Sequence, residues 1–287
     1  MAYATSFTHL QVASGYSFKY GTAHADQLVT RASEFGMKAL ALTDRDGAPG
    51  AIRFVQSCEA NGITPILGVN LSFIQQKFRV TLLAQSGHLP SLYRLLTAIK
   101  MNGDNSVLTY EILNRFADYA KNILIMHGPE SQLANAIGAR KQAEAISIFN
   151  STREIFADQA IECVTHLAKG DGPYSTSYAA KSLAFARDND LPAVLTNSVR
   201  MLDRKDGPVA DVLDATRRLI PLSNKSIDRK NSEGYLKSSP QMFSIADEIS
   251  RLAGERSGRS LLRTTQEWTE RSLLSARTDV GLSLIHI

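Results

Sequence analysis

The strongest hydrophobic pattern in the chain lies between residues 40 and 70. Leu40, Ala41 and Leu42 form an apolar run without a polar break, the pattern of a fully buried strand. The run ends at Thr43-Asp44, and a loop follows with Gly47, Pro49 and Gly50. Ile52, Val55 and Cys58 then recur at helical spacing, and Asn61-Gly62 ends that helix, because glycine enters the left-handed region without a Cβ clash. Residues 63–69 read as the next strand. This predicts a βαβ unit, the crossover that parallel strands require. Loops at the C-terminal ends of such strands carry sites in α/β folds, so Asp44, Arg45 and Asn70 are the first positions to question.

The same alternation extends along the chain. Residues 8–12 alternate like a strand. Leu28, Val29, Ala32 and Phe35 give an amphipathic helix over 25–35, ended by Gly36. Residues 71–85 read as two strands joined near Gln75-Gln76. Helices are expected over 89–99, 110–116, 139–149, 152–156, 174–188 and 209–219, and strands over 123–126, 160–164 and 192–195. Six or seven strands alternating with helices predict a parallel α/β architecture, barrel or doubly wound. Residues 221–234 turn polar, rich in Ser, Asn, Lys, Asp and Arg, and a helix is expected over 242–252. The pattern past residue 256 supports no element, and Trp268 falls in that stretch.

Composition narrows the class. The 287 residues are 44% hydrophobic and 21% charged, as in a globular protein with a real core. A net charge of +4 is compatible with nucleic acid but no signature of it. Cys58 and Cys163 fall in apolar patterns and read as small buried hydrophobes, not a disulfide framework. With no long uncharged apolar run and no leader pattern, a cytoplasmic protein without a membrane partner is expected. No Gly-rich phosphate loop, Cys-x-x-Cys pair or Ser-His-Asp order stands out.

Six stretches together resemble the N-terminal region of bacterial DNA polymerase III α subunits, the C-family polymerases. They are HLQVASGYSFKYGTA (9–23), ALALTDRDGAPGAIRF (39–54), GITPILGV (62–69), VTLLAQS (80–86), LPAVLTNSVRML (191–202) and YLKSSPQM (235–242). The resemblance implies a polymerase-and-histidinol-phosphatase (PHP) domain, a distorted TIM-like β/α barrel of about seven strands, followed by a short helical segment leading towards a polymerase palm. The expected organisation is a PHP-like domain over 1–222, a linker over 223–240 and the start of the palm region over 241–281. Residues 282–287, LSLIHI, look like a translated sequencing-adapter end, so the natural chain is expected to continue past Gly281.

Catalytic PHP domains hold a three-metal cluster with His, Asp, Glu and Cys, which generates hydroxide and clamps a phosphodiester. By this resemblance the family's ligand positions fall on Gln11, Ala13, Tyr20, Arg45, Asn70, Arg79, Pro129, Ser198 and Arg200. None of these nine side chains is a good metal ligand, and arginine repels a cation. His9, Asp44, His127, Glu162 and His166 remain nearby, and a rebuilt single-metal site would draw on His9, Asp44 and His127. The expectation is instead an arginine–carboxylate network in which Arg45, Arg79 and Arg200 pair with Asp44 and Glu162. A variant of it has the arginines binding phosphate. The resemblance further implies DNA polymerase activity in the intact protein, with Mg2+ in a palm beyond this chain. It also implies DNA, a proofreading exonuclease and a sliding clamp as partners. A working metal-dependent phosphoesterase or 3′–5′ exonuclease, or a free-standing interaction module, are the rival expectations.

Overall fold

The computed structural model describes residues 6–73, 77–102, 107–156, 158–222 and 231–282. Its six strands are β1 (Ala39–Leu42), β2 (Thr64–Phe73), β3 (Phe78–Ala84), β4 (Ile123–His127), β5 (Asp158–Val164) and β6 (Ala193–Thr196), in one sheet of that order. The helices are α1 (Ala25–Glu34), α2 (Ala51–Asn61), α3 (Leu89–Met101), α4 (Tyr110–Arg115), α5 (Ala117–Ala120) and α6 (Gln132–Gly138). They continue with α7 (Gln142–Arg153), α8 (Thr176–Asp188), α9 (Gly207–Arg218), α10 (Ser239–Leu252) and α11 (Arg259–Ser272).

The βαβ unit is as expected. β1 and β2 are parallel, α2 connects them, and Gly62 ends α2 at φ 66° in the left-handed region. The parallel architecture expected from the alternation has one exception, β3, which runs antiparallel to both β2 and β4. The reason lies in the connection: β2 continues as one strand to Phe73, and only residues 74–77 separate it from β3, far too few for a crossover. The expected turn at Gln75-Gln76 lies outside the described residues. Residues 223–230 of the expected linker and 283–287 of the expected adapter end lie outside them too.

The expected strand over 8–12 is irregular, and it closes the sheet. His9 O and Val12 O accept from Ala41 N (3.0 Å) and Thr43 N (2.8 Å) at one sheet edge. Ala13 N donates to Val199 O (2.8 Å), and Val199 N to Gln11 O (3.0 Å), just past β6 at the other edge. A segment bonded to both edges makes the sheet a barrel. The count of about seven strands therefore resolves into six strands and this seventh, irregular stave.

Alternation along the strands sorts the core into an inside and an outside. Leu10, Ala39, Ala41, Ile66, Leu83, Leu124, Met126, Ala160 and Val194 come from every stave and form one buried cluster with Trp268, the barrel interior. The alternate residues Leu40, Leu42, Leu67 and Val69 pack against α1, α2 and α3. Ile161, Cys163 and Leu195 pack against α6, α7, α8 and α10. Both cysteines are buried and free.

Three helices were not legible: the short α5, α6 and α11. α6 sits between β4 and α7, capped by Ser131, whose Oγ accepts from Ala134 N at 3.1 Å. α11 closes the end of the barrel where the parallel strands begin. Leu274 N donates to Pro65 O (3.0 Å), Ser86 N to Arg271 O (2.8 Å) and Leu195 N to Thr265 Oγ1 (2.8 Å), while Arg271 pairs with Asp158. Residues expected to lead towards a palm thus cover the barrel floor. No helix among the described residues is long and apolar enough to cross a membrane.

Candidate functional site

The mouth opposite α11 gathers the polar residues of the barrel. Asp44 and Arg45 follow β1, Asn70 lies in the second half of β2, and Arg79 opens β3. Pro129 and Glu130 follow β4, His166 follows β5, and Ser198 and Arg200 follow β6. Eight of the nine positions singled out above, Gln11, Ala13, Tyr20, Arg45, Asn70, Arg79, Pro129 and Ser198, border one small cavity of about 20 Å³. Arg200 borders the adjoining open cleft of about 490 Å³, which shares Tyr20, Arg45, Arg79 and Pro129 with it.

Tyr20 is the centre of the cluster. Its buried ring lies beneath two guanidinium groups, with Arg45 Cζ 3.5 Å and Arg200 Cζ 4.1 Å from the ring centroid. A cation against an aromatic face is attracted by the ring quadrupole. Arg45 Nη2 donates to both carboxyl oxygens of Glu130, at 3.3 and 3.1 Å. Arg200 forms a buried two-pronged pair with Asp214 of α9, at 2.9 and 3.0 Å, and its remaining donors meet Tyr20 O at 3.2 and 3.0 Å. Arg79 donates to Asn70 Oδ1 (2.6 Å), Ser72 Oγ (2.7 Å), Asp46 Oδ1 (3.1 Å) and Asn70 O (2.6 Å). Every guanidinium nitrogen of Arg79 and Arg200 thus engages a protein acceptor, so neither offers the open fork that the phosphate variant needs.

The expected network is therefore corrected in its acids. The three arginines meet at one mouth, but their carboxylates are Glu130, Asp46 and Asp214. Asp44 instead accepts from Ser14 N (2.7 Å), Ser14 Oγ (3.0 Å) and Ser17 Oγ (2.7 Å), which ties the N-terminal loop to the end of β1. Burial raises its pKa against those hydrogen bonds. Glu162 accepts from Thr196, and burial pushes it up to about 7. Burial alone would also raise Glu130 and Asp214. Arg45 and Arg79 outweigh it at Glu130, and Arg200 together with Arg217 outweighs it at Asp214, so both stay below the usual carboxylate range. Tyr174, which sequence reading passed over, donates from its hydroxyl to Glu130 (3.1 Å) and stacks on His166 at 4.7 Å between ring centroids.

The missed acids carried faint signals. Glu130 directly follows Pro129 at the end of a strand. Asp214 stands four residues after Ala210 on the buried stripe of α9, where an acid needs a partner.

The remaining histidines serve the fold. His9 Nε2 bonds Lys237 O (2.8 Å), His127 Nε2 bonds Gln159 Oε1 (3.1 Å), and His166 Nε2 bonds Asn197 O (2.8 Å). Burial lowers all three to about 4. Among the described residues, no group of three or more His, Cys, Asp or Glu side chains is placed to hold a metal ion. Three guanidinium groups at the mouth repel a cation, so this donor set does not fit a three-metal cluster.

A closed β/α barrel with a polar mouth at the strand C-terminal ends defines the class. The PHP domain model matches residues 9–166, and the chain belongs to the PHP domain family. It is 27% identical over 252 residues to an error-prone DNA polymerase of Symbiobacterium thermophilum, a match covering 81% of this chain and 23% of that protein. It is 48% identical over 67 residues to the DNA polymerase III subunit alpha of Bacillus subtilis, covering 23% of this chain and 6% of that one. The chain thus spans at most about a quarter of these relatives. A two-domain protein of Bacteroides vulgatus, with a predicted PHP-like metal-dependent phosphoesterase, aligns at TM-score 0.44 and 12% identity, over 89% of this chain and 64% of that one.

Proposed function

We propose that this chain is the N-terminal PHP domain of a C-family DNA polymerase, with a hydrogen-bonded arginine–tyrosine–carboxylate cluster where catalytic relatives hold metal. The observation that carries this reading is the clamp of Arg45 and Arg200 on Tyr20, anchored outward by Glu130 and Asp214. The clamp joins the N-terminal loop and the segments after β1, β4 and β6, so the mouth is held by fixed charges rather than by ions. The domain is then a non-catalytic buttress. In the intact cytoplasmic polymerase, nucleotide addition on DNA belongs to a palm with its own Mg2+ ions, and a proofreading exonuclease and a sliding clamp are its partners.

The test is metal analysis of the purified chain after incubation with zinc, manganese or magnesium, together with single-strand 3′–5′ exonuclease and phosphodiesterase assays. The expected result is no stoichiometric metal and no turnover. Bound metal with chelator-sensitive turnover overturns the reading in favour of a working phosphoesterase. A long read of the source DNA across the codons for Arg277 to Ile287 tests the polymerase context. An open frame running into a palm with paired aspartates supports it, and a stop after Ile287 favours a free-standing module.

A further inference from the structure

Among the described residues, three buried polar atoms at the barrel mouth have no hydrogen-bond partner: Gln11 Oε1, Arg45 Nε and Glu162 Oε2. Their side chains come from three staves of the barrel and border the same cavity of about 20 Å³. Leaving three such groups without partners in the interior costs free energy at each, and native structures rarely do so. The cavity is too small for an organic ligand or a phosphate, but it has room for one water molecule.

The chemistry of the three atoms selects among occupants of that size. Arg45 Nε is a donor only. Gln11 Nε2 donates to Thr81 Oγ1 at 3.0 Å, which leaves its carbonyl oxygen as an acceptor. Glu162 Oε1 takes the Thr196 hydroxyl, so Oε2 is the free end of a carboxyl group that is 2% exposed. Gly128 borders the cavity and makes room for that end, since a Cβ there would collide with Oε2. A cation would face the Arg45 N–H. An anion would face the Gln11 carbonyl and the Glu162 carboxyl. Only an amphoteric occupant matches one donor, one acceptor and a carboxyl.

We infer that this cavity is the site of one buried water molecule, which accepts from Arg45 Nε and hydrogen-bonds Gln11 Oε1 and Glu162 Oε2. The water ties the closing stave, the loop after β1 and β5 together from inside. The stacked Tyr20 ties the closing stave to the loop after β1 from outside, and the Arg45–Glu130 pair ties that loop to the segment after β4. Glu162, which finds no arginine directly, is joined to Arg45 through this one molecule. The inference stands on the cavity and its orphaned atoms and does not depend on whether a polymerase follows.

A crystal structure of the chain at high resolution tests it. The expected result is a single oxygen peak with three polar neighbours at about 2.7–3.2 Å. An empty cavity, or direct contact between Arg45 and Glu162, overturns the inference and leaves the non-catalytic reading intact. A peak with anomalous signal and about 2.1 Å contacts overturns both. In solution, oxygen-17 magnetic relaxation dispersion counts long-lived internal waters. Glu162→Met, which fills the cavity with an apolar side chain, is expected to lose one such water, while Glu162→Gln keeps it. Equal counts in the parent and a folded Glu162→Met overturn the inference.

Discussion

Arg45 stacks on Tyr20 with its Cζ 3.5 Å from the ring centroid, and the two residues belong to segments that meet only when the barrel closes. Tyr20 belongs to the loop after the closing stave, and Arg45 follows β1. Removing the ring therefore opens a cavity and also frees two guanidinium groups, since Arg200 shares the ring. Tyr20→Ala is expected to cost about 3–5 kcal/mol, from lost packing and about 1 kcal/mol per cation–ring contact. Tyr20→Phe keeps the ring and should cost under about 1 kcal/mol. Urea unfolding of the two variants checks this, and equal losses would remove Tyr20 from the centre of the cluster.

The buried pair of Arg200 and Asp214 makes a second prediction. Breaking a buried pair from one side leaves an uncompensated charge, at a cost of about 3–5 kcal/mol. Arg217 also reaches Asp214 at 3.1 Å, so Arg200→Met should fall near the lower end. Replacing both partners, Arg200→Met with Asp214→Leu, is expected to be less destabilising than Arg200→Met alone. Additive losses in the double variant would show that the two charges do not depend on each other.

Acid stability carries a third. His9 and His127 are buried neutral, with pKa values lowered to about 4 from an ordinary 6.5. Between those values the unfolded chain binds more protons, so their contribution is full above pH 6.5 and is lost as pH falls towards 4. It is worth roughly 3 kcal/mol for each. Glu162, raised to about 7, has the opposite sign: its contribution is full below pH 4.5 and is lost as pH rises through 7. The parent should therefore lose stability between pH 7 and pH 4.5, and Glu162→Gln should lose it more steeply because the opposing group is gone. Denaturant midpoints across that range decide it, and parallel curves for the two proteins would contradict the assignment to Glu162.

Trp268 gives a fourth prediction and shows where sequence reading stops. It is 3% exposed inside the barrel cluster, so Trp268→Ala is expected to cost about 3–5 kcal/mol in an unfolding titration. A loss within about 0.5 kcal/mol would mean that α11 is not part of the barrel floor. The residue lies in a segment whose mean character is polar. α11 meets the core with Leu261, Leu262, Thr265, Trp268 and Thr269, and two threonines in that stripe hide the helical period. Strong apolar runs such as Leu40–Leu42 and the stop at Gly62 were legible because one local rule fixes each. The antiparallel β3 was less so, because direction depends on the length of a connection rather than on the strand's own residues. At the site, the family resemblance singled out the three arginines, and the structure brings them to one mouth. Their acids were not legible, because Glu130, Asp46 and Asp214 are chosen by three-dimensional distance, and of the two acids that flank Arg45 in sequence, Asp44 is already held by Ser14 and Ser17 while Asp46 serves Arg79.

The central claim is that fixed positive charges stand where catalytic relatives place metal ions. A ligand that binds the native state raises its stability by RT ln(1 + [L]/Kd), whatever its catalytic consequence. The most direct measurement is the unfolding midpoint of the chain titrated with manganese or zinc at constant ionic strength. A midpoint independent of metal concentration up to millimolar levels is the predicted result. A midpoint that climbs with the logarithm of metal concentration, and falls back on chelation, would contradict it.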